Sequence, residues 1–180
     1  MPAARVQTGL TGAAGEYYVA AELSRRGWLA TVTLKNAPRV DVLAQRPTGE
    51  MVFIQTKTAG EGSGGFQLGA KDESGPYGSN DWYIFVKLGT EVPARYWVVP
   101  RLVVSAVVYS SHEHYKSYSG KNGARRTLRS SWIAGYEDAW DLLGMDCRTI
   151  SYRGDASRLE LIRRFGFPPE HPRFSLPDEL

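Results

Sequence analysis

The first pattern along the chain is a spacing of three or four residues between small or apolar positions in residues 11–26. Such a spacing predicts a helix with one buried face. Thr11 is a suitable N-cap residue, and Gly27 is typical of a helix end. The expected buried face carries Ala13, Glu16, Ala20 and Leu23. Glu16 is therefore expected to point toward the structure against which the helix packs.

Short apolar runs bounded by turn residues follow this helix and predict β-strands. The runs cover residues 29–34, 40–44, 51–57, 82–88 and 96–99. The pattern over 102–109 leaves a helix and a strand equally open. Later helices are predicted over 136–143 and over 156–165, where Asp155 is a suitable cap. A helix, several strands and then mixed elements predict a sheet with helices on its faces.

Length and composition favour one folded domain. The chain has 180 residues, of which 42% are hydrophobic and 12% aromatic, and this composition argues against a disordered chain. We predict a single domain over 1–166 and a proline-rich, extended C-terminal tail over 167–180. The tryptophans at 82, 97, 132 and 140 are interpreted mainly as core residues.

The sequence favours a soluble, cytoplasmic protein without a membrane partner. It has no apolar run of the roughly 18 residues that a membrane helix needs, and its N-terminus lacks the apolar centre of a signal peptide. Cys147 is the only cysteine, which excludes a disulfide framework and a zinc site built from several cysteines.

Positively charged residues are clustered in one segment of the chain. The net charge is +3, but no acidic residue lies among the cations of segment 116–129. This segment is either a solvated loop or a surface that contacts phosphates, because clustered cations displace counterions from a nucleic-acid backbone. The candidate nucleic-acid-binding residues are Lys116, Lys121, Arg125, Arg126 and Arg129.

Strand 51–57 ends in a polar pair. Side chains alternate along a strand, so Gln55 and Lys57 share a face. Both faces of the strand are apolar before residue 55, which predicts a central, buried position. Polar side chains at such a place need partners or a function.

Asp41 lies between Val40 and Val42, where an unpaired carboxylate is unfavourable. If strands 40–44 and 51–57 form a hairpin, counting outward from a turn near 46–50 places Asp41 opposite Gln55 and Lys57. Each residue also has a structural interpretation: Glu16 as a helix-end charge, Asp41 as a cap, and the Gln55–Lys57 pair as an exposed strand end.

These residue types suit phosphodiester hydrolysis, which needs an activated water and neutralisation of charge on the phosphate. Mg²⁺ or Mn²⁺ supplies both and binds carboxylates, waters and substrate oxygens. Asp41 would be the principal ligand, Gln55 a neutral ligand through its carbonyl oxygen, and Glu16 a ligand of a second ion. Lys57 would position the attacking water and offset phosphate charge.

The run Gly15-Glu16…Arg39-Val40-Asp41…Gln55-Thr56-Lys57 resembles the PD-(D/E)xK nuclease superfamily. Residues 21–28 are similar to the first helix of archaeal Holliday junction resolvases, and the Gln-x-Lys variant is similar to that of an intron-encoded homing endonuclease group. Val40 replaces the proline of the motif. Gln55 replaces the acidic residue, which removes a negative charge and should weaken metal binding.

The resemblance implies an α/β fold with a restriction-endonuclease-like mixed β-sheet core flanked by helices. It also implies a Mg²⁺- or Mn²⁺-dependent endonuclease that cleaves DNA with Glu16, Asp41, Gln55 and Lys57. A homodimer would suit the cutting of two strands. Two alternatives stay open: an inactive nucleic-acid-binding module of the same fold, and a protein-interaction module in a defence system. His112-Glu113-His114 is interpreted as a polar loop rather than a metal site.

Overall fold

The computed structural model describes residues 8–34, 39–75, 77–90, 92–121, 126–174 and 176. Helix α1 (Thr8–Arg25) begins the fold and ends before Gly27, whose φ of 85° is readily adopted by glycine. This confirms the helix predicted over 11–26. None of the described helices is long and apolar enough to cross a membrane.

Five strands form the main sheet. In chain order they are β1 (Leu29–Val32), β2 (Val42–Gln45), β3 (Met51–Gly60), β5 (Asp81–Leu88) and β6 (Arg95–Pro100), and their spatial order is β1-β2-β3-β5-β6. Strands β3 and β5 are parallel, and the other pairs are antiparallel. A separate antiparallel ribbon consists of β4 (Phe66–Leu68) and β7 (Arg126–Leu128).

Helices cover this mixed sheet. Helix α1 packs against β1 and β3, whereas α2 (Arg101–Ser119) packs against β5 and β6 and against α3 (Ala156–Phe165). The predicted α/β class, a mixed sheet flanked by helices, is confirmed. Segment 102–109, for which the sequence left both a helix and a strand possible, is helical, and residues 102–108 are all buried. A helix that is buried on every side has no polar face. Its sequence is then a continuous apolar run, which cannot be distinguished from that of a buried strand.

The helix predicted over 136–143 is wrong. Two short 3-10 turns, Ser130–Tyr136 and Trp140–Leu142, occupy this region. Asp138 lies between them with a left-handed φ of 49°, and its N–H donates to the Tyr96 carbonyl at 3.0 Å. This bond to the sheet replaces the helical one, while the apolar side chains remain buried. Residues 112–114 also differ from expectation, because they lie in α2 rather than in a loop.

Part of segment 167–180 lies against the domain. Pro168, His171 and Phe174 are buried, and His171 Nε2 donates to the Leu102 carbonyl at 2.7 Å. The His171 ring also stacks with Phe167 at 5.0 Å between centroids. Residues of this segment are therefore packed into the domain, and His171 contacts the start of α2.

Candidate active site

The hairpin of β2 and β3 sets the position of Asp41. Val42 pairs with Ile54, and the turn is closed by the Arg46 N–H, which donates to the Glu50 carbonyl at 2.9 Å. The predicted hairpin with its turn near 46–50 is thus present. Strand β2 begins at Val42 rather than at Val40, so Asp41 immediately precedes the strand.

Asp41 is anchored on both sides. Its N–H donates to the Ile54 carbonyl at 2.8 Å, and its carbonyl accepts from the Thr33 N–H at 2.9 Å. Its carboxylate Oδ2 accepts from the Thr56 N–H at 2.8 Å. Strand β2 does not extend far enough to pair with Thr56, so the Asp41 carboxylate satisfies this amide instead. The carboxylate is consequently fixed at the residue between Gln55 and Lys57.

Gln55 and Lys57 lie on one face of the central strand. Gln55 is 6% exposed and lies beside Tyr83 of β5. No hydrogen bond to its side-chain amide occurs in the part of the chain that the structure describes. Its amide atoms are not among the buried side-chain atoms that lack a hydrogen-bond partner, so water or a ligand can reach them. Gln55 therefore offers a carbonyl oxygen to an incoming group.

Lys57 is fixed by an aspartate that the sequence reasoning missed. Its Nζ lies 3.5 Å from Oδ2 of Asp72, which is fully buried in the 3-10 turn Ala70–Glu73. Asp72 also accepts hydrogen bonds from the Gly69 N–H at 2.6 Å and from the Tyr83 hydroxyl at 2.5 Å. Asp72 follows Gly69 by three residues, a spacing typical of a capping side chain, but the sequence offers no signal for a contact with Lys57.

A buried arginine closes this cluster. Arg101, 5% exposed, lies with its guanidinium 5.5 Å from the Tyr83 ring centroid and donates to the Ser74 carbonyl at 3.1 Å. Burial raises the pKa of the Tyr83 hydroxyl, and the Asp72 charge raises it further. Tyr83 therefore stays protonated and acts as a donor to Asp72.

Glu16 approaches from the α1 layer. Gly15 packs so closely on β3 that a Cβ built on it would lie 1.8 Å from the Thr58 hydroxyl oxygen. Glu16, the next residue, is partly buried. Thr58 and Lys57 point to opposite faces of β3, so α1 lies on the face opposite to the Lys57–Asp72 pair. Asp41, Gln55 and Lys57 thus lie together on the hairpin, and Glu16 belongs to the neighbouring helix.

The basic segment 116–129 is not one loop. Lys116 lies in the last turn of α2 and forms an ion pair with Glu113, whereas Lys121 is exposed after the helix. Arg126 lies in β7, where its guanidinium pairs with Glu73. Arg129 is exposed next to Trp132. Arg125 lies outside the described residues.

No protein-family model matches the chain, and no curated protein matches its sequence. One solved structure to which the chain is similar is that of a bacterial homing endonuclease, I-Ssp6803I, with 20% sequence identity and a TM-score of 0.46. The similarity covers 76% of this chain and 92% of the other.

Proposed function

We propose that this protein is a metal-dependent endonuclease that hydrolyses DNA phosphodiester bonds at the centre formed by Asp41, Gln55 and Lys57, to which Glu16 contributes from α1. The observation that carries the proposal is the placement of the Asp41 carboxylate by the Thr56 N–H. This contact holds the Asp41 carboxylate at Thr56 of β3, the residue between Gln55 and Lys57.

The donors at this centre fit Mg²⁺ or Mn²⁺. Magnesium needs only one or two protein carboxylates and completes its shell with water and substrate oxygens. Among the described residues, no group of three or more His, Cys, Asp or Glu side chains could hold a metal ion. A ligand set here therefore has to use the Gln55 carbonyl oxygen beside the Asp41 carboxylate. Such a mixed oxygen set suits a hard cation better than zinc.

The bound metal would supply an activated water and neutralise the phosphate. The protein's own side chains would position the reactants. Lys57, held by the buried Asp72, presents a fixed positive charge to the developing charge on the phosphate. Asp72 acts as a positioning residue because it touches Lys57 rather than substrate. Glu16 would orient water or a second ion from the α1 side.

The test is cleavage of supercoiled plasmid with Mg²⁺, Mn²⁺ or EDTA. In Lys57→Gln the amide can still donate to Asp72, so the fold should persist while the positive charge is lost. We expect metal-dependent nicking by the wild type and a loss of about 100-fold or more in Lys57→Gln and Asp41→Asn. The matched control is Lys87→Gln on the neighbouring strand β5, which should cleave normally. Circular dichroism checks folding.

Equal cleavage by wild type and Lys57→Gln would refute the assignment of the centre. The alternative function, an inactive nucleic-acid-binding module, is favoured by the neutral Gln55. The centre has one negative charge fewer than it would have with an acidic residue at this position. Its signature would be salt-sensitive DNA binding that neither EDTA nor Asp41→Asn changes, without cleavage of linear, supercoiled or branched DNA. Absence of both DNA binding and metal binding would favour the protein-interaction module.

A further inference from the structure

A second concave site lies away from the candidate active site. It is an open cavity of about 660 Å³ between the β4–β7 ribbon, the C-terminal half of α2 and the start of α3. None of the four proposed catalytic residues lines it. Its volume lies within the range of roughly 300–1,000 Å³ that is common for small-molecule sites.

One wall of the cavity is cationic. The guanidinium carbons of Arg158 and Arg129 lie 4.2 and 5.9 Å from the Trp132 ring centroid. Arg158 also donates to the Ser111 hydroxyl at 3.2 Å, and burial lowers its pKa. Over the described part of the chain, neither arginine forms an ion pair. Arg158 is partly buried and lies near Asp155, whereas Arg129 is exposed, and a pair of neighbouring guanidinium groups favours an anionic ligand.

The charge of the lining reinforces this preference. Among the described residues, three arginines and two histidines line the cavity, and no carboxylate does. The third arginine, Arg126, is held by Glu73, whose side chain is not part of the lining. His112 contacts the same pair through Nδ1, while its Nε2 is buried without a partner among the described residues. The lining therefore carries an excess of positive charge.

The α2 side of the cavity is aromatic. Tyr115 and Tyr118 of α2 meet edge to face with centroids 5.4 Å apart, and the His114 ring lies 5.4 Å from Tyr118. Tyr118 is 68% exposed. An exposed aromatic ring beside a cationic wall can stack a nucleobase, which is favourable by about 1–3 kcal/mol per base.

We propose that this cavity binds a nucleotide unit, with its phosphate at Arg129 and Arg158 and its base stacked on Tyr118. The unit is either a free mononucleotide or one nucleotide of a nucleic-acid strand, since both present the same phosphate and base. The site goes beyond the proposed cleavage centre and shares no residue with it. Within the basic segment 116–129, Arg129 then has the specific role of binding the phosphate.

Calorimetric titration in EDTA at low salt tests the site with deoxyadenosine monophosphate, deoxyadenosine, inorganic phosphate and a short single-stranded oligonucleotide. We expect the mononucleotide to bind more tightly than phosphate or the nucleoside alone. Arg129→Gln and Arg158→Gln should each weaken it by about tenfold or more. Tyr118→Ala should weaken the mononucleotide but not phosphate. Arg164→Gln removes the same charge from exposed α3 surface outside the cavity and should leave binding unchanged.

The two sources of the nucleotide are distinguished by the oligonucleotide. Tighter binding of the oligonucleotide, displaced by the mononucleotide, would identify a strand, and binding of the mononucleotide alone would identify a free ligand. No binding of either, or equal weakening by Arg164→Gln, would overturn the proposal. Mononucleotide binding in EDTA requires no cleavage, so a failure of cleavage leaves this test independent.

Discussion

At the scale of single residues, Gln55 is the member of the candidate centre that differs most from an ordinary metal ligand. It is neutral, 6% exposed, and its amide forms no hydrogen bond within the described residues. A carboxylate at this position would add a negative charge beside Asp41. The identity of residue 55 should therefore control the strength of metal binding.

We predict that Gln55→Glu binds Mn²⁺ at least about tenfold more tightly than the wild type, because charge–charge attraction exceeds charge–dipole attraction for a hard cation. Calorimetric titration with Mn²⁺ measures this. Gln45→Glu makes the same change at a partly buried position of β2 and should leave metal affinity unaltered. Unchanged or weaker binding in Gln55→Glu would argue that residue 55 is not a ligand.

Asp72 should matter for stability as well as for positioning. Its removal leaves the Tyr83 hydroxyl, the Gly69 N–H and Lys57 without their buried partner. We predict that Asp72→Ala lowers the free energy of unfolding by about 3 kcal/mol, as expected when one member of a buried charge pair is lost. Urea denaturation measures this change. Glu61→Ala, at an exposed loop position, should change it by less than about 0.5 kcal/mol.

The single cysteine should be unreactive. Cys147 is fully buried, and this burial raises the pKa of its thiol to about 12. The unfolded chain therefore loses this proton first, and stability should fall as pH rises above about 9. We predict that a thiol reagent at pH 8 modifies Cys147 only in denaturant. Rapid modification of the folded protein would contradict this burial.

At the scale of elements, the crossing of α1 over β3 depends on a glycine. Gly15 and Gly12 lie in the same helix, but only Gly15 contacts Thr58. We predict that Gly15→Ala destabilises the protein by about 1–3 kcal/mol, because its methyl group forces α1 away from the sheet. In Gly12→Ala the methyl group meets nothing within 4 Å and should stabilise the helix by about 0.5–1 kcal/mol. Thermal unfolding of both variants tests the pair, and equal effects would argue against a tight crossing at residue 15.

The elements also show where sequence patterns succeed. Helix α3 spans 156–165 as predicted, since it has an Asp155 cap and a polar face. The hairpin of β2 and β3 was predictable from its turn and apolar strands. The turns over 130–142 were not predictable, because their apolar residues have the spacing of a helix. The backbone N–H of Asp138 instead donates to the carbonyl of Tyr96 in the sheet.

At the scale of the whole molecule, the segment after residue 166 completes the core. Phe174 and His171 are 6% and 8% exposed. We predict that the free energy of unfolding of a chain ending at residue 166 is about 3 kcal/mol lower than that of the full chain, because the loss of one buried phenylalanine alone has an effect of that size. A chain ending at residue 174 should keep most of the stability. If both truncated chains matched the full chain, a domain boundary at 166 would be supported.

Local sequence patterns are enough to predict the α/β class, the first helix, the central hairpin and the alternation that places Gln55 and Lys57 on one face. These features follow from local periodicity and turn chemistry, which act over a few residues. Three features are visible only in the folded protein: the contact between Lys57 and Asp72, the cavity shared by Arg129 and Arg158, and the helical state of 102–109. Those depend on packing between segments far apart in the chain, and a local pattern carries no record of which distant partner a side chain meets.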